Sequence, residues 1–245
     1  MKFFIYIALA AFSISSTYAQ DVVLKDYNWK LTDIADKGFT KESFFNQIDR
    51  SFVKIGASIC SNRALLWAND FKRLHDIDSA KIFLFYTKIT GEVGRKTWWY
   101  HVAPIVNEKG QLWVVDAGFP DKISGPQTKT EWLKSFISNT NCKEIKSGED
   151  ELIENMFKER VFPQRTPYGK YDCYYRIAPG PYWTPAAVAK NLLGQNEYGQ
   201  PIQFERNEIQ PQEVYEACVE ATTSKLGRVL VGNVKECKAL VGIEE

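Results

Sequence analysis

The 245-residue chain has only two histidines and five cysteines, no Cys-x-x-Cys pair, and almost no net charge. Each shortage excludes something. His75 and His101, well separated in sequence, provide no ligand set for a zinc or iron centre. Thirty-one basic residues against 30 acidic ones leave a formal charge of +1, so nothing marks a nucleic-acid partner or an anionic membrane surface. Beyond the N-terminus no apolar run is long enough to span a bilayer. The sequence also lacks internal repeats, low-complexity tracts and a clear linker, which leaves one compact domain over residues 20–195 with a C-terminal helical extension over 196–245.

The chain begins with Met1-Lys2, a mostly apolar run from Phe3 to Ile14, and the small-residue site Thr17-Tyr18-Ala19 before Gln20. Residues 1–19 read as a signal peptide, and the remainder as a chain exported to the periplasm or the medium. Disulfides persist there, yet five cysteines cannot all pair. Sequence does not fix the connectivity, but neighbours along the chain suggest Cys142–Cys173 and Cys218–Cys237, leaving Cys60 over. A free thiol in an oxidising compartment is a hazard unless it is buried or used.

Cys60 falls in the first turn of an expected helix. Ala64, Leu65, Trp67, Ala68, Phe71 and Leu74 recur at helical spacing after it, and Ser58 in the preceding turn is a candidate N-cap. Backbone N–H groups and the positive end of the helix dipole favour an anion at that position. The bland alternative is a small apolar cysteine facing the core. Downstream, Trp98 to Val106 and Gln111 to Asp116 flank the polar turn Asn107-Glu108-Lys109-Gly110, the pattern of a β-hairpin. A loop centred on Glu108-Lys109 would set His101 directly opposite Asp116, close enough to hydrogen-bond. An odd-length loop would leave the pair diagonal.

The remaining expectations follow from periodicity. One helix runs from Thr40 through Phe44, Phe45, Ile48 and Phe52, and a strand covers Ile82 to Thr87. Further helices are expected over 130–137 and 149–160, from Pro185 with Thr184 as cap, and over 213–226 and 233–240. A strand is expected around Tyr174-Tyr175-Arg176. His75 should lie past the end of the Cys60 helix, solvated, which leaves His101 as the candidate base. Trp98, Trp99, Tyr182 and Trp183 are either core residues or walls of a substrate cleft, with Trp99 singled out for the latter.

A thiol at a helix N-terminus, then His on one strand and Asp on the next, is the order found in papain-like and transglutaminase-like cysteine hydrolases. The expected fold is accordingly α+β, an antiparallel sheet packed against the helix that carries the nucleophilic cysteine. Cys60-Ser61-Asn62-Arg63-Ala64, Trp99-Tyr100-His101-Val102-Ala103, Val114-Val115-Asp116, and Ser124-Gly125-Pro126 followed by Trp132 resemble the bacterial protein-glutaminases. Weaker similarity continues through Cys142 and Tyr174-Tyr175-Arg176 to about residue 193. The resemblance implies a cofactor-free secreted hydrolase that converts protein-bound glutamine to glutamate and releases ammonia. It assigns the catalytic triad to Cys60, His101 and Asp116.

The partners it implies are proteins or peptides bearing exposed glutamine, with a cognate inhibitor as one means of restraint. Two departures accompany it. Little chain separates the leader from Cys60, so there is no room for the long inhibitory pro-region of the family's secreted enzymes, and the extension after residue 196 lies outside the family pattern. A cysteine protease or a transglutaminase would use the same triad. A catalytically silent secreted binding module is the alternative of another class.

Overall fold

The computed structural model describes residues 21–50, 59–86, 100–137, 141–149, 171, 173–193, 208–222 and 231–242. The expected signal peptide, Ser58, Trp98, Trp99, nearly all of the helix expected over 149–160, and the expected 195/196 boundary lie outside them. In chain order the elements are β1 (Val23–Leu24), β2 (Trp29–Lys30), α1 (Lys41–Gln47), α2 (Cys60–His75), β3 (Ala80–Tyr86), β4 (Tyr100–Glu108), β5 (Gln111–Val114), α3 (Lys129–Phe136), β6 (Cys142–Glu144), β7 (Cys173–Pro179), α4 (Pro185–Leu193), α5 (Pro211–Thr222) and α6 (Val231–Leu240). No helix among the described residues is long and apolar enough to cross a membrane.

The expected α+β architecture is present. Five strands form one sheet in the order β5-β4-β3-β7-β6. Its pairings are antiparallel except at the β6 edge, where Cys142–Glu144 runs parallel to β7 and Cys142 lies opposite Cys173. The Cys142–Cys173 disulfide is formed on that pair, as is Cys218–Cys237 between α5 and α6, and Cys60 is free. β3 is apolar from Ile82 to Tyr86 because both faces of the sheet are covered. Ile82 and Leu84 face a core with Phe44, Trp67, Phe71 and Trp132, while Phe83 and Phe85 face Val102, Tyr174, Tyr182 and Val188. This alternation is the two-residue period of a strand.

Helix α2 is the hub. Its stripe Cys60, Ala64, Trp67, Phe71 lies against the two sheet cores, at the spacing of one helix face. Leu65 and Leu66 on another side meet Val214, Ala217, Cys218, Ala221 and Cys237 of α5 and α6. The helix is therefore enclosed on several sides, and every residue from Cys60 to Ala68 is buried. His75 is not past the helix but is its last residue. Its ring is half-buried, edge-on to Phe39 and Phe44 at 5.0 and 6.0 Å, because Phe44 of α1 and Phe39 just before that helix cover the end of α2.

The hairpin forms with a different register. The ladder runs from Ile105↔Val114 to Glu108↔Gln111; continued, it would set Ala103, not His101, opposite Asp116. Lys109 and Gly110 form the two-residue loop, with φ of 52° and 83°, the left-handed pair of a type I′ turn. Asn107 Oδ1 accepts the Gly110 N–H at 3.0 Å, and Asp33 Oδ2 accepts the Lys109 N–H at 2.8 Å. Asp33 is remote in sequence, so local pattern could not reveal what holds the turn. The shift from expectation is two residues, which preserves each side chain's face. Gly110→Ala is expected to destabilise the protein by about 1 kcal/mol, the usual cost of a left-handed L-residue. An unchanged urea midpoint would contradict the turn assignment.

Candidate active site

Cys60 is the first residue of α2, and Ile59 in extended conformation holds the N-cap position without a side-chain cap bond. The expected Ser58 cap is thus displaced by one position. A helix start without a side-chain cap leaves its N–H groups to be met by something else. Those groups and the helix dipole favour negative charge at the Cys60 position. Cys60 is 8% exposed, at the edge of a core rather than in open solvent.

His101 lies on β4 opposite Leu84 of β3 and is fully buried. Its Nε2 lies 2.7 Å from Asp116 Oδ2. The imidazole stacks on Trp132, with centroids 5.4 Å apart and planes 24° apart, and contacts Phe136 and Phe119 at 4.7 and 5.0 Å. Asp116 stands two residues beyond the end of β5. It reaches His101 diagonally, a distance that long side chains span. Its carboxylate is also held from other directions. Oδ2 accepts the Trp132 indole N–H at 3.0 Å, and Oδ1 accepts the Gly118 N–H at 3.0 Å. Gly118 is tightly enclosed, since a Cβ there would lie 3.0 Å from Arg63 Nε and 3.1 Å from Asp116 Oδ1.

These contacts set the charges. Burial opposes ionisation of His101, but the charge and hydrogen bond of Asp116, followed by the hydrogen bond and charge of Cys60, outweigh it and raise the pKa to about 9. Burial pushes the Asp116 carboxyl up, yet the His101 charge and the bonds from His101, Trp132 and the Gly118 N–H hold it below its ordinary value. At neutral pH the ring is an imidazolium whose Nε2–H donates to Asp116, which leaves Nδ1 for the thiol. Tyr100, beside His101 in sequence, puts its hydroxyl 3.2 Å from Ser61 Oγ. Burial, then the Cys60 charge, pushes the Tyr100 phenol up to about 12 despite its bond to Ser61, so it stays protonated.

The fold therefore brings together Cys60, His101 and Asp116, which lie far apart in sequence. Trp99 lies outside the described residues. Trp183, a candidate cleft wall, instead donates its indole N–H to Asn62 Oδ1 at 3.0 Å, and Tyr182 is wholly buried. Sequence reasoning did not assign Trp132 its part as the donor that holds Asp116. The available signal was a tryptophan on the short helix shortly after the aspartate, since a buried indole N–H needs an acceptor. A cavity of about 320 Å³ lies elsewhere, along the far half of α2 beside Ala68, Asn69 and Lys72, and touches none of the three.

Two outcomes follow. A histidine whose pKa is raised on folding stabilises the protein fully below its unfolded value, near 6.5, and loses that contribution as pH rises through about 9. Urea midpoints should therefore fall across that interval in the wild type and less so in His101→Gln; equal slopes would contradict the charged pair. Trp132→Phe keeps a ring against His101 but removes one donor from the buried carboxylate. It should cost about 1–3 kcal/mol in unfolding free energy, and a neutral result would mean the indole bond is dispensable.

Comparison with known proteins bears on this same region. Residues 35–136 match the family model described as glutaminase. Among solved structures, the chain is similar to the NMR structure of protein-glutaminase from Chryseobacterium proteolyticum, at 16% identity and a TM-score of 0.40, with 85% of this chain and 96% of that chain covered. No curated protein matches it. The matched stretch, residues 35–136, contains Cys60, His101 and Asp116, and over it the chain is similar to the glutaminase family.

Proposed function

We propose that the protein is an exported deamidase in which Cys60 is the nucleophile, His101 the general base and acid, and Asp116 the group that orients and charges the imidazole. The match of residues 35–136 to the glutaminase family model supports an amidohydrolase acting on protein-bound glutamine; the residue roles are our reading. The observation that supports them most is the 2.7 Å His101–Asp116 contact beside a free cysteine at the first position of a helix. Two disulfides suit an oxidising compartment, in line with export.

The steps follow from these groups. The Cys60 thiolate adds to the γ-carboxamide carbon, and the oxygen, now anionic, takes the N–H groups at the start of α2. Collapse breaks the C–N bond as imidazolium gives its proton to the departing nitrogen, which leaves as ammonia. The thioester remains on Cys60. Neutral imidazole then takes a proton from water, the hydroxide equivalent adds, and collapse expels the thiolate and leaves glutamate. Asp116 keeps its charge throughout and stabilises the cationic ring. The scheme uses no cofactor. Its substrates are proteins or peptides with exposed glutamine, and Trp99 remains a proposed wall of the cleft that receives them. A cognate inhibitor is a proposed restraint.

The test is ammonia release from casein combined with intact-mass analysis. The wild type should add about 1 Da per ammonia released, the amide-to-acid change, without cleavage or cross-links. Cys60→Ala should abolish the reaction, and Asp116→Asn should slow it roughly 100- to 10,000-fold. The rate should fall as pH rises through about 9, where His101 loses its proton. Peptide fragments would move the assignment to a protease, and cross-linked species to a transglutaminase. No modification at all would return the chain to the binding-module reading.

A further inference from the structure

Asn62 joins three separate parts of the chain. It sits on α2 two residues after Cys60 and is 1% exposed. Its Oδ1 accepts the indole N–H of Trp183, in the turn between β7 and α4, at 3.0 Å. Its Nδ2 donates to Glu220 Oε2 on α5 at 2.9 Å. Glu220 follows Cys218 by two residues, and the Cys218–Cys237 bond ties α5 to α6. On the other side of the same helical turn, Ser61 Oγ lies 3.2 Å from the hydroxyl of Tyr100, the residue before His101. The turn that carries the thiol is thus held from β4 on one side and from the C-terminal helices on the other.

Adhesion of α5 does not require this bridge. Leu65 and Leu66 already pack on Val214, Ala217 and Ala221, and burying such side chains is the larger contribution to stability. A buried amide with both ends engaged contributes little net stability but fixes geometry, because leaving either end unmatched is costly. Its bond to a carboxylate is charge-assisted and correspondingly stronger. The bridge also stands at the turn where orientation matters, since a small misplacement of a reacting group costs far more in rate than in stability. The Glu220 charge reaches the site, where it helps, after burial and the Cys60 charge, to keep Tyr100 protonated.

We infer that Asn62 and Glu220 are positioning residues that fix the Cys60 turn relative to His101, so that α5 is a working part of the site. This rests on the reading of Cys60 as the nucleophile. It also assigns the C-terminal helices a supporting role in catalysis.

The test uses the full-length exported chain and two readouts: kcat and KM for glutamine deamidation, and the rate of Cys60 alkylation by iodoacetamide across pH. Glu220 is exposed, so Glu220→Ala should fold; it should lose about tenfold in kcat with KM within about twofold, and alkylation should slow in parallel. Glu220→Gln retains an acceptor and should recover most of that rate. Asn62→Asp sets two carboxylates against each other and should be the worst variant. Pairing it with Glu220→Gln rebuilds the bond in reverse and should restore kcat to within about threefold of wild type. Unchanged kcat and alkylation in Glu220→Ala with only a lowered thermal midpoint, or failure of the paired rescue, would overturn the inference. If the wild type releases no ammonia while alkylation still follows this order, the deamidase reading falls and the positioning role stands.

Discussion

The site depends on one buried contact, that between His101 and Asp116. Taking two ionisable groups out of water is expensive, and their attraction compensates only when the remaining polar atoms are also engaged. Here they are. The Trp132 indole and the Gly118 N–H both donate to the carboxylate, and Trp132, Phe136 and Phe119 enclose the ring. The rest of the architecture serves this arrangement. β3 fixes β4 and hence His101, the hairpin returns the chain to Asp116, and α3 presents Trp132 toward both. Cys60 adds to the effect of Asp116 in raising the His101 pKa.

Much of this was legible from pattern. The helical phase of Ala64, Leu65, Trp67 and Phe71 placed Cys60 in a first turn, and α2 begins at that residue. Five cysteines in a chain read as exported pointed to two bridges and a spare thiol, and those bridges are formed. The Thr40 start of α1 was also readable; its side chain and that of Ser43 form a reciprocal cap.

What pattern missed was set by contacts between distant segments. The hairpin register was displaced by two residues because Asp33, more than seventy residues upstream, accepts the Lys109 N–H and favours a loop that a local reading ranks no higher than its neighbours. The His101–Asp116 bond survived because an even shift leaves both side chains on their faces. His75 packs edge-on against Phe39 and Phe44 and is half-buried rather than fully solvated. The parallel edge strand β6 follows from a cysteine pair that directly aligns two strands. The join between Asn62, Trp183 and Glu220 spans the chain and carries no periodic signal at all.

The central claim, that Cys60 attacks the glutamine carboxamide, is tested most directly by trapping the covalent intermediate. The full-length protein would be mixed with a glutamine-containing peptide, quenched in acid within the first turnovers and digested for mass spectrometry. The account predicts an adduct on Cys60 equal to the peptide less ammonia, which accumulates when removal of Asp116 slows hydrolysis and is absent in Cys60→Ala. Ammonia release that proceeds with no adduct on Cys60, or that persists when Cys60 is removed, would contradict it.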